Sequence, residues 1–221
     1  MKKIISIILS LSIVVGTTPA SKKAVRCVMT DEKVVALTFD DGPHPTLTRE
    51  ILCTLEKYDA RATFFIVGEN AKNYPDVLRM ALDAGHEIGN HTYSHKTLGG
   101  CSARDIEREI SEAEDEILSV CGTRTRVLRP PEGRCSAEAA DVAEALGYTV
   151  ILWNIDTRDW AHKSTADIVA NIKKNLRPGS IILFHDYVSG VSHTSEALNV
   201  ILPFLQSEGY SFVTVSELLE K

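Results

Sequence analysis

Apolar residues in this 221-residue chain come in two patterns: short continuous runs, and longer stretches where they recur every three or four positions. The runs predict strands at residues 34–39, 62–67, 86–90, 126–129, 149–155, 180–184 and 211–215. The spaced stretches predict helices at 46–58, 75–84, 102–121, 137–146, 165–176 and 194–205, with a short helix at the end of the chain. Punctuation agrees with this. Thr46, Ser102 and Ser164 stand where N-caps belong, Pro75 opens a helix, and Gly85 and Gly147 close two others. In 102–121 the apolar stripe is Ile106, Ile110, Ala113, Ile117 and Val120. Ile181-Ile182-Leu183-Phe184 has no polar alternation, as expected of a strand covered on both faces. Strand and helix alternate through about seven units. This predicts an α/β fold with a mainly parallel sheet or barrel and helices outside. No linker, repeat or low-complexity tract divides the units, so a single domain is expected.

The first twenty residues differ in kind. Met1-Lys2-Lys3 is basic, residues 4–15 are almost all Ile, Leu, Val and Ser, and Gly16-Thr17-Thr18-Pro19-Ala20 is small and turn-forming. That order matches a secretory signal peptide over residues 1–20, cut after Ala20, and places the chain outside the cytoplasm. Left uncleaved, the same segment would anchor it, although the apolar run is short for a membrane span. The chain as a whole is 44% hydrophobic and 24% charged, ordinary for a globular protein. A net charge of −6 gives no basic face for a nucleic-acid partner. Five cysteines, Cys27, Cys53, Cys101, Cys121 and Cys135, leave at least one thiol unpaired within the monomer. No Cys-x-x-Cys spacing points to a cysteine zinc site, and mostly small buried or partly buried thiols are the expectation.

Candidate chemistry gathers at the C-terminal ends of the predicted strands. Thr38-Phe39-Asp40-Asp41-Gly42-Pro43 ends the first. Adjacent side chains on extended backbone point opposite ways, so one Asp can hold a metal while the other handles a proton. Alone, Asp-Asp-Gly-Pro is also a common turn. His91-Thr92-Tyr93-Ser94-His95 follows the third strand, and two His four apart can face one centre or simply lie at the surface. Two His and one carboxylate make three protein ligands with open positions, the composition of a catalytic metal site. Arg129-Pro130-Pro131-Glu132-Gly133 is a stiff loop able to aim a main-chain N–H, a weak signal by itself. Asp156-Thr157-Arg158-Asp159-Trp160 and His185-Asp186 follow two further strands. Asp159 can pair with His185 and keep its imidazolium available as an acid. The plainer readings are a helix-start turn and a hydrogen-bonded core-edge histidine. In a parallel α/β array all these ends lie on one face.

From Val34 to Val215 the chain resembles the polysaccharide deacetylases of the NodB homology type, carbohydrate esterase family 4. Five family motifs occur in order: Thr38 to Gly42, His91 to His95, Arg129 to Gly133, Asp156 to Trp160, and Leu183-Phe184-His185. The resemblance implies a distorted (β/α) barrel of about seven parallel strands, the NodB-like domain spanning residues 30–221. It implies a divalent metal, most often Zn²⁺, on Asp41, His91 and His95. It further implies Asp40 as general base, His185 as general acid, and Arg129 and Asp159 orienting them. Glu132, Trp160 and Leu183 would meet substrate, Glu132 through its main-chain N–H and the other two around the acetyl group. Glu132 stands where many relatives carry an aromatic residue. The implied activity is removal of N-acetyl groups from N-acetylglucosamine-type residues of peptidoglycan or a chitin-like polymer, with the acetylated glycan as partner and no protein partner implied. An O-acetyl xylan esterase on the same fold and a non-catalytic glycan-binding module are the alternatives. His44 and His162 are expected at most to touch the groove, and His86 and His193 to be structural or at the surface.

Overall fold

In the computed structural model, which describes residues 24–221, the alternation takes the form of one curled sheet surrounded by helices. In chain order the elements are β1 (Val34–Asp40), α1 (Leu47–Lys57), β2 (Thr63–Ile66), α2 (Gly68–Asn73), α3 (Pro75–Asp83), β3 (Glu87–Asn90), α4 (Ala103–Cys121), β4 (Val127–Leu128), α5 (Ala137–Ala145), β5 (Thr149–Val150), β6 (Ile155–Asp156), α6 (Thr165–Asn175), β7 (Ser180–His185), α7 (Thr194–Ser207), β8 (Ser211–Phe212) and α8 (Val215–Leu219). Short 3₁₀ turns lie at Pro131–Gly133 and Asp159–Ala161. Seven strands follow the order β5-β4-β3-β2-β1-β7-β6, and β8 pairs with the start of β1. Every strand pair is parallel. The two ends of that order, β5 and β6, are joined in the chain by residues 151–154 alone, so the sheet bends round into a half-barrel. Residues 1–20, the expected signal peptide, lie outside the described residues. Among the described residues no helix is long and apolar enough to cross a membrane.

Central strand β1 explains both the apolar runs and the site. All seven of its residues are buried. Val35, Leu37 and Phe39 point to the main core under the helices, where Phe39 stacks between its register partners Phe64 and Phe184 at 4.9 and 5.4 Å. The alternate residues face the inside of the curl. Val34 and Ala36 pack there with Phe65, Ile151 and Ile181. Thr38 and Asp40 continue that face toward the C-terminal rim, so one strand carries the fold on one side and polar groups on the other.

Four local features depart from the expectations. The single strand expected at 149–155 is two, β5 and β6. Between them Ile151 and Leu152 turn their carbonyls to the buried Arg129, which donates to both, and Val25 pairs with Ile151 from outside the strand order. Helix α2 has no N-cap side chain and begins at a glycine, so no local signal announces it. Its first N–H groups donate instead to the carbonyls of Thr92 and Tyr93, at 3.0 Å each. Thr46 stands at the N-cap of α1, but its side chain makes no cap hydrogen bond. The His44 Nδ1 accepts from the N–H of Thr46 and Leu47 instead. At the other end of the chain, the strand expected at 211–215 stops at Phe212, because Thr214 forms a capping box with Glu217 that starts α8. Ser102 and Ser164 cap α4 and α6 as expected. All five cysteines are free thiols; Cys53 is exposed and the other four half-buried.

Candidate active site

The site lies where β1, β3, β4, β6 and β7 end. Asp40 closes β1 and His185 closes β7, and the two are register partners on adjacent strands. They therefore project side by side from the same face of the sheet. Asp41, His91, His95, Glu132, Trp160 and Leu183 line the same cavity with them, which has a volume of about 460 Å³. Arg129 and Asp159 stand behind its walls. All ten residues named from the sequence are thus at one place.

On one wall Arg129 is fully buried and its guanidinium is satisfied on every nitrogen. It donates to Asp40 Oδ1 (2.7 Å), to the Thr38 hydroxyl (2.8 Å) and to the carbonyls of Ile151 and Leu152, and it lies 4.1 Å from the centroid of the Phe65 ring. A buried charge with this many partners is held in one orientation and keeps its carboxylate partner in one as well. On the opposite wall Asp159 is 1% exposed. It accepts from His185 Nδ1–H (2.8 Å), from the His185 main-chain N–H (2.8 Å), from Trp160 N–H (2.9 Å) and from the Thr194 hydroxyl (2.8 Å). Burial lowers the pKa of His185, but Asp159 and the nearby Asp40 and Asp41 outweigh it and raise the pKa to about 9. With Nδ1 held by Asp159, Nε2 is the atom left to face the cavity.

Asp41, His91 and His95 offer ligand atoms within 4.8 Å of one another. The His91 Nδ1–H donates to the Arg129 carbonyl at 2.6 Å, which leaves the lone pair of a neutral imidazole on Nε2. That Nε2 lies 3.3 Å from Asp41 Oδ1, and His95 Nε2 lies 3.1 Å from the same oxygen. Yet Asp41 Oδ1, although buried, has no hydrogen-bond partner. Acceptors converging on one point without a proton geometry between them fit a cation. Burial pushes the Asp41 carboxyl up, but His91 and His95 override it and hold it well below the usual carboxylate range. Asp41 also raises the pKa of His95. The donor set, two imidazoles and one carboxylate with an open side, suits Zn²⁺ or a similar divalent ion.

The backbone of the site is strained. Asp41 (φ 78), Thr92 (φ 67), His95 (φ 56), Glu132 (φ 58) and Arg158 (φ 59) are all left-handed without being glycine. Asn70 of α2 donates to the Asp41 carbonyl, and Val67 N–H to that of Gly42. Gly42 cannot carry a side chain, since a Cβ would stand 2.1 Å from an Asp186 oxygen. Asp186 itself is fully buried and accepts from the Thr48 hydroxyl, and its burial raises its pKa to about 7. Glu132 reaches the rim and pairs with Arg134 at 3.1 Å. His162 donates from Nδ1–H to the Val191 carbonyl, and His44 packs edge-on to Tyr187; neither lines the cavity. The buried His86 accepts from Ala62 N–H through Nδ1, a structural role.

Sequence reasoning did not name Trp153 and Asp156 as lining residues, nor Thr38, Asn70, Ser94, Glu109 and Thr194 as supports. Thr38, Ser94 and Asp156 stand inside the motifs already quoted, and Glu109 left a signal of its own, a carboxylate within the apolar stripe of the longest helix beside Ile106 and Ile110.

Comparison with known proteins agrees with this geometry. The family model for polysaccharide deacetylases matches residues 28–151. A peptidoglycan-N-acetylglucosamine deacetylase of Bacillus cereus is 40% identical over 194 residues, 87% of this chain and 91% of that protein. A solved peptidoglycan N-acetylglucosamine deacetylase superposes with a TM-score of 0.86 at 34% identity, over 89% of this chain and 92% of the other. A family 4 acetyl xylan esterase of Clostridium thermocellum, solved with a cobalt ion, gives 0.81 at 35%, over 85% and 91%. A pseudoenzyme of the same family from Bacillus anthracis gives 0.83 at 28%, over 89% and 68%. The chain belongs to the polysaccharide deacetylase family, carbohydrate esterase family 4.

Proposed function

We propose that this chain is a metal-dependent deacetylase that removes N-acetyl groups from N-acetylglucosamine-type residues of a cell-wall polysaccharide, peptidoglycan or chitin-like, outside the cytoplasm. The reading rests on one observation: a carboxylate held by a buried cation and an imidazole held by a buried carboxylate face one cavity, with three converging metal donors beside them. The fold by itself does not carry activity, since a pseudoenzyme shares it. The N-terminal segment supports the location.

A divalent ion held by Asp41, His91 and His95, Zn²⁺ by donor type, would supply Lewis acidity and lower the pKa of a water. Asp40, fixed by Arg129, takes a proton from the attacking water as the new C–O bond forms. The main-chain N–H of Glu132 would donate to the acetyl oxygen as it gains charge. His185 gives the Nε2 proton to the amide nitrogen as the C–N bond breaks, so that acetate and a free amine leave. Asp159 keeps the imidazole in that orientation, and Leu183 and Trp160 enclose the acetyl group.

Acetate release from N-acetylglucosamine oligomers, peptidoglycan and acetylated xylan tests the reading, with metal content measured on the same sample. Turnover on the first two is expected. Turnover on acetylated xylan alone would instead establish O-ester cleavage, the reading favoured by the similarity to an acetyl xylan esterase. Binding without acetate release from any of the three would leave a glycan-binding module.

A further inference from the structure

His91 and His95 are held in place by different means. The His91 ring is fixed through its own Nδ1–H, by the Arg129 carbonyl. His95 is 41% exposed at its side chain, and among the described residues nothing pairs with its Nδ1. Its position therefore depends on the backbone that carries it, and that backbone is left-handed at both Thr92 and His95. Such conformations persist when their surroundings over-determine them.

The ties on that segment are specific. Asn90 Oδ1 accepts from Thr92 N–H at 2.9 Å, and Asn90 Nδ2 donates to the Ile110 carbonyl on α4. The carbonyls of Thr92 and Tyr93 accept from the start of α2. At the His95 end the tie is Glu109, on α4 and 6% exposed. Its Oε2 accepts from Ser94 N–H at 3.0 Å, and both its oxygens lie within reach of the Ser94 hydroxyl, at 2.9 and 3.1 Å. Among the described residues no Lys or Arg pairs with it. A buried carboxylate without a cation is costly unless hydrogen bonds compensate, and here one residue supplies all of them.

We propose that Glu109 is a positioning residue for the metal site, holding the peptide before His95 through Ser94 so that His95 Nε2 meets Asp41 and His91. This rests on the reading of Asp41, His91 and His95 as metal ligands. Glu109 touches neither the ion nor substrate, so its effect belongs to metal affinity ahead of turnover by the loaded protein.

The test is titration of the metal-free protein with Zn²⁺, and with Co²⁺ followed by its visible absorption, for the parent, Glu109→Ala, Glu109→Gln, Ser94→Ala and His91→Ala. Circular dichroism and thermal melting of each metal-free form accompany it. The parent is expected to bind one ion and His91→Ala to lose it. Glu109→Ala is expected to bind about 10- to 100-fold more weakly, with an altered Co²⁺ spectrum. Glu109→Gln recovers most of the affinity, because its amide can accept from Ser94 N–H and donate to Ser94 Oγ. Ser94→Ala falls between, having kept the main-chain bond. A folded Glu109→Ala that binds as the parent does, with only a lower melting temperature, overturns the proposal. Should Glu109→Ala not fold, unchanged affinity and spectrum in Ser94→Ala overturns it equally. A parent that binds no divalent ion sinks the metal-site reading itself.

Discussion

On one wall of the cavity a buried cation, Arg129, holds a carboxylate; on the other a buried carboxylate, Asp159, holds an imidazole. The two pairs are close to mirror images in charge, and both inner partners are almost wholly out of solvent. They differ in what can change. A guanidinium stays charged at any accessible pH, so the counter-charge beside Asp40 is fixed. The His185 side contains a group whose charge depends on pH, and its pKa of about 9 keeps it protonated through the neutral range. A base and an acid can thus be positioned by the same device, a buried counter-charge of opposite sign.

Breaking the inner end of each pair gives unequal outcomes. The largest expected effect on turnover is at Asp40 itself. Asp40→Asn should lower kcat by about 10²–10⁴-fold while metal content, measured by mass spectrometry, stays near that of the parent. Near-parent acetate release would remove Asp40 as base. Arg129→Leu should act on the fold before it acts on chemistry. It leaves Asp40 buried without its cation, expected to destabilise by about 3–5 kcal/mol in denaturant unfolding. A loss under 1 kcal/mol would mean that the carboxylate finds another partner.

Asp159→Asn sharpens the other side. The His185 ring, followed by NMR, should titrate near 9 in the metal-free parent and move down toward 6.5 in the variant. The stability consequence has a definite sign. A pKa raised from 6.5 to about 9 stabilises the folded state fully below pH 6.5, and that contribution disappears as pH rises through about 9. Asp159→Asn should flatten this alkaline loss of stability; an unchanged pH–stability curve would contradict the pairing. The smallest effect is expected at the rim, where the Glu132–Arg134 pair is exposed. Glu132→Gln should alter stability by less than about 0.5 kcal/mol, and its influence should show as a changed kcat/KM ratio between neutral and charged glycans.

Much of this arrangement was legible from sequence because β1 and β7 are buried on both faces, which writes a continuous apolar run, and because each functional group follows such a run directly. Asp40, His91, Arg129 and His185 needed no more than that placement to be found together. The invisible parts depend on distant partners. Helix α2 begins without a cap because Thr92 and Tyr93, some twenty residues ahead, take its first N–H groups. The run at 149–155 is apolar enough to be one strand, yet Arg129 claims two of its carbonyls and divides it. His44 caps α1 in place of the adjacent threonine, and nothing in the local spacing tells one from the other.

The register of β1 against β7, with Asp40 opposite His185, ties chain assembly to chemistry. A slip of a single residue between these strands would turn one of the two groups to the far side of the sheet, where Phe39 and Phe184 now stack. Such a molecule could be compact and largely helical on its outer layer, and still be silent. Specific activity in a refolded sample would then count the molecules whose central strands aligned, a quality check on recombinant material that spectroscopic measures of secondary structure do not provide.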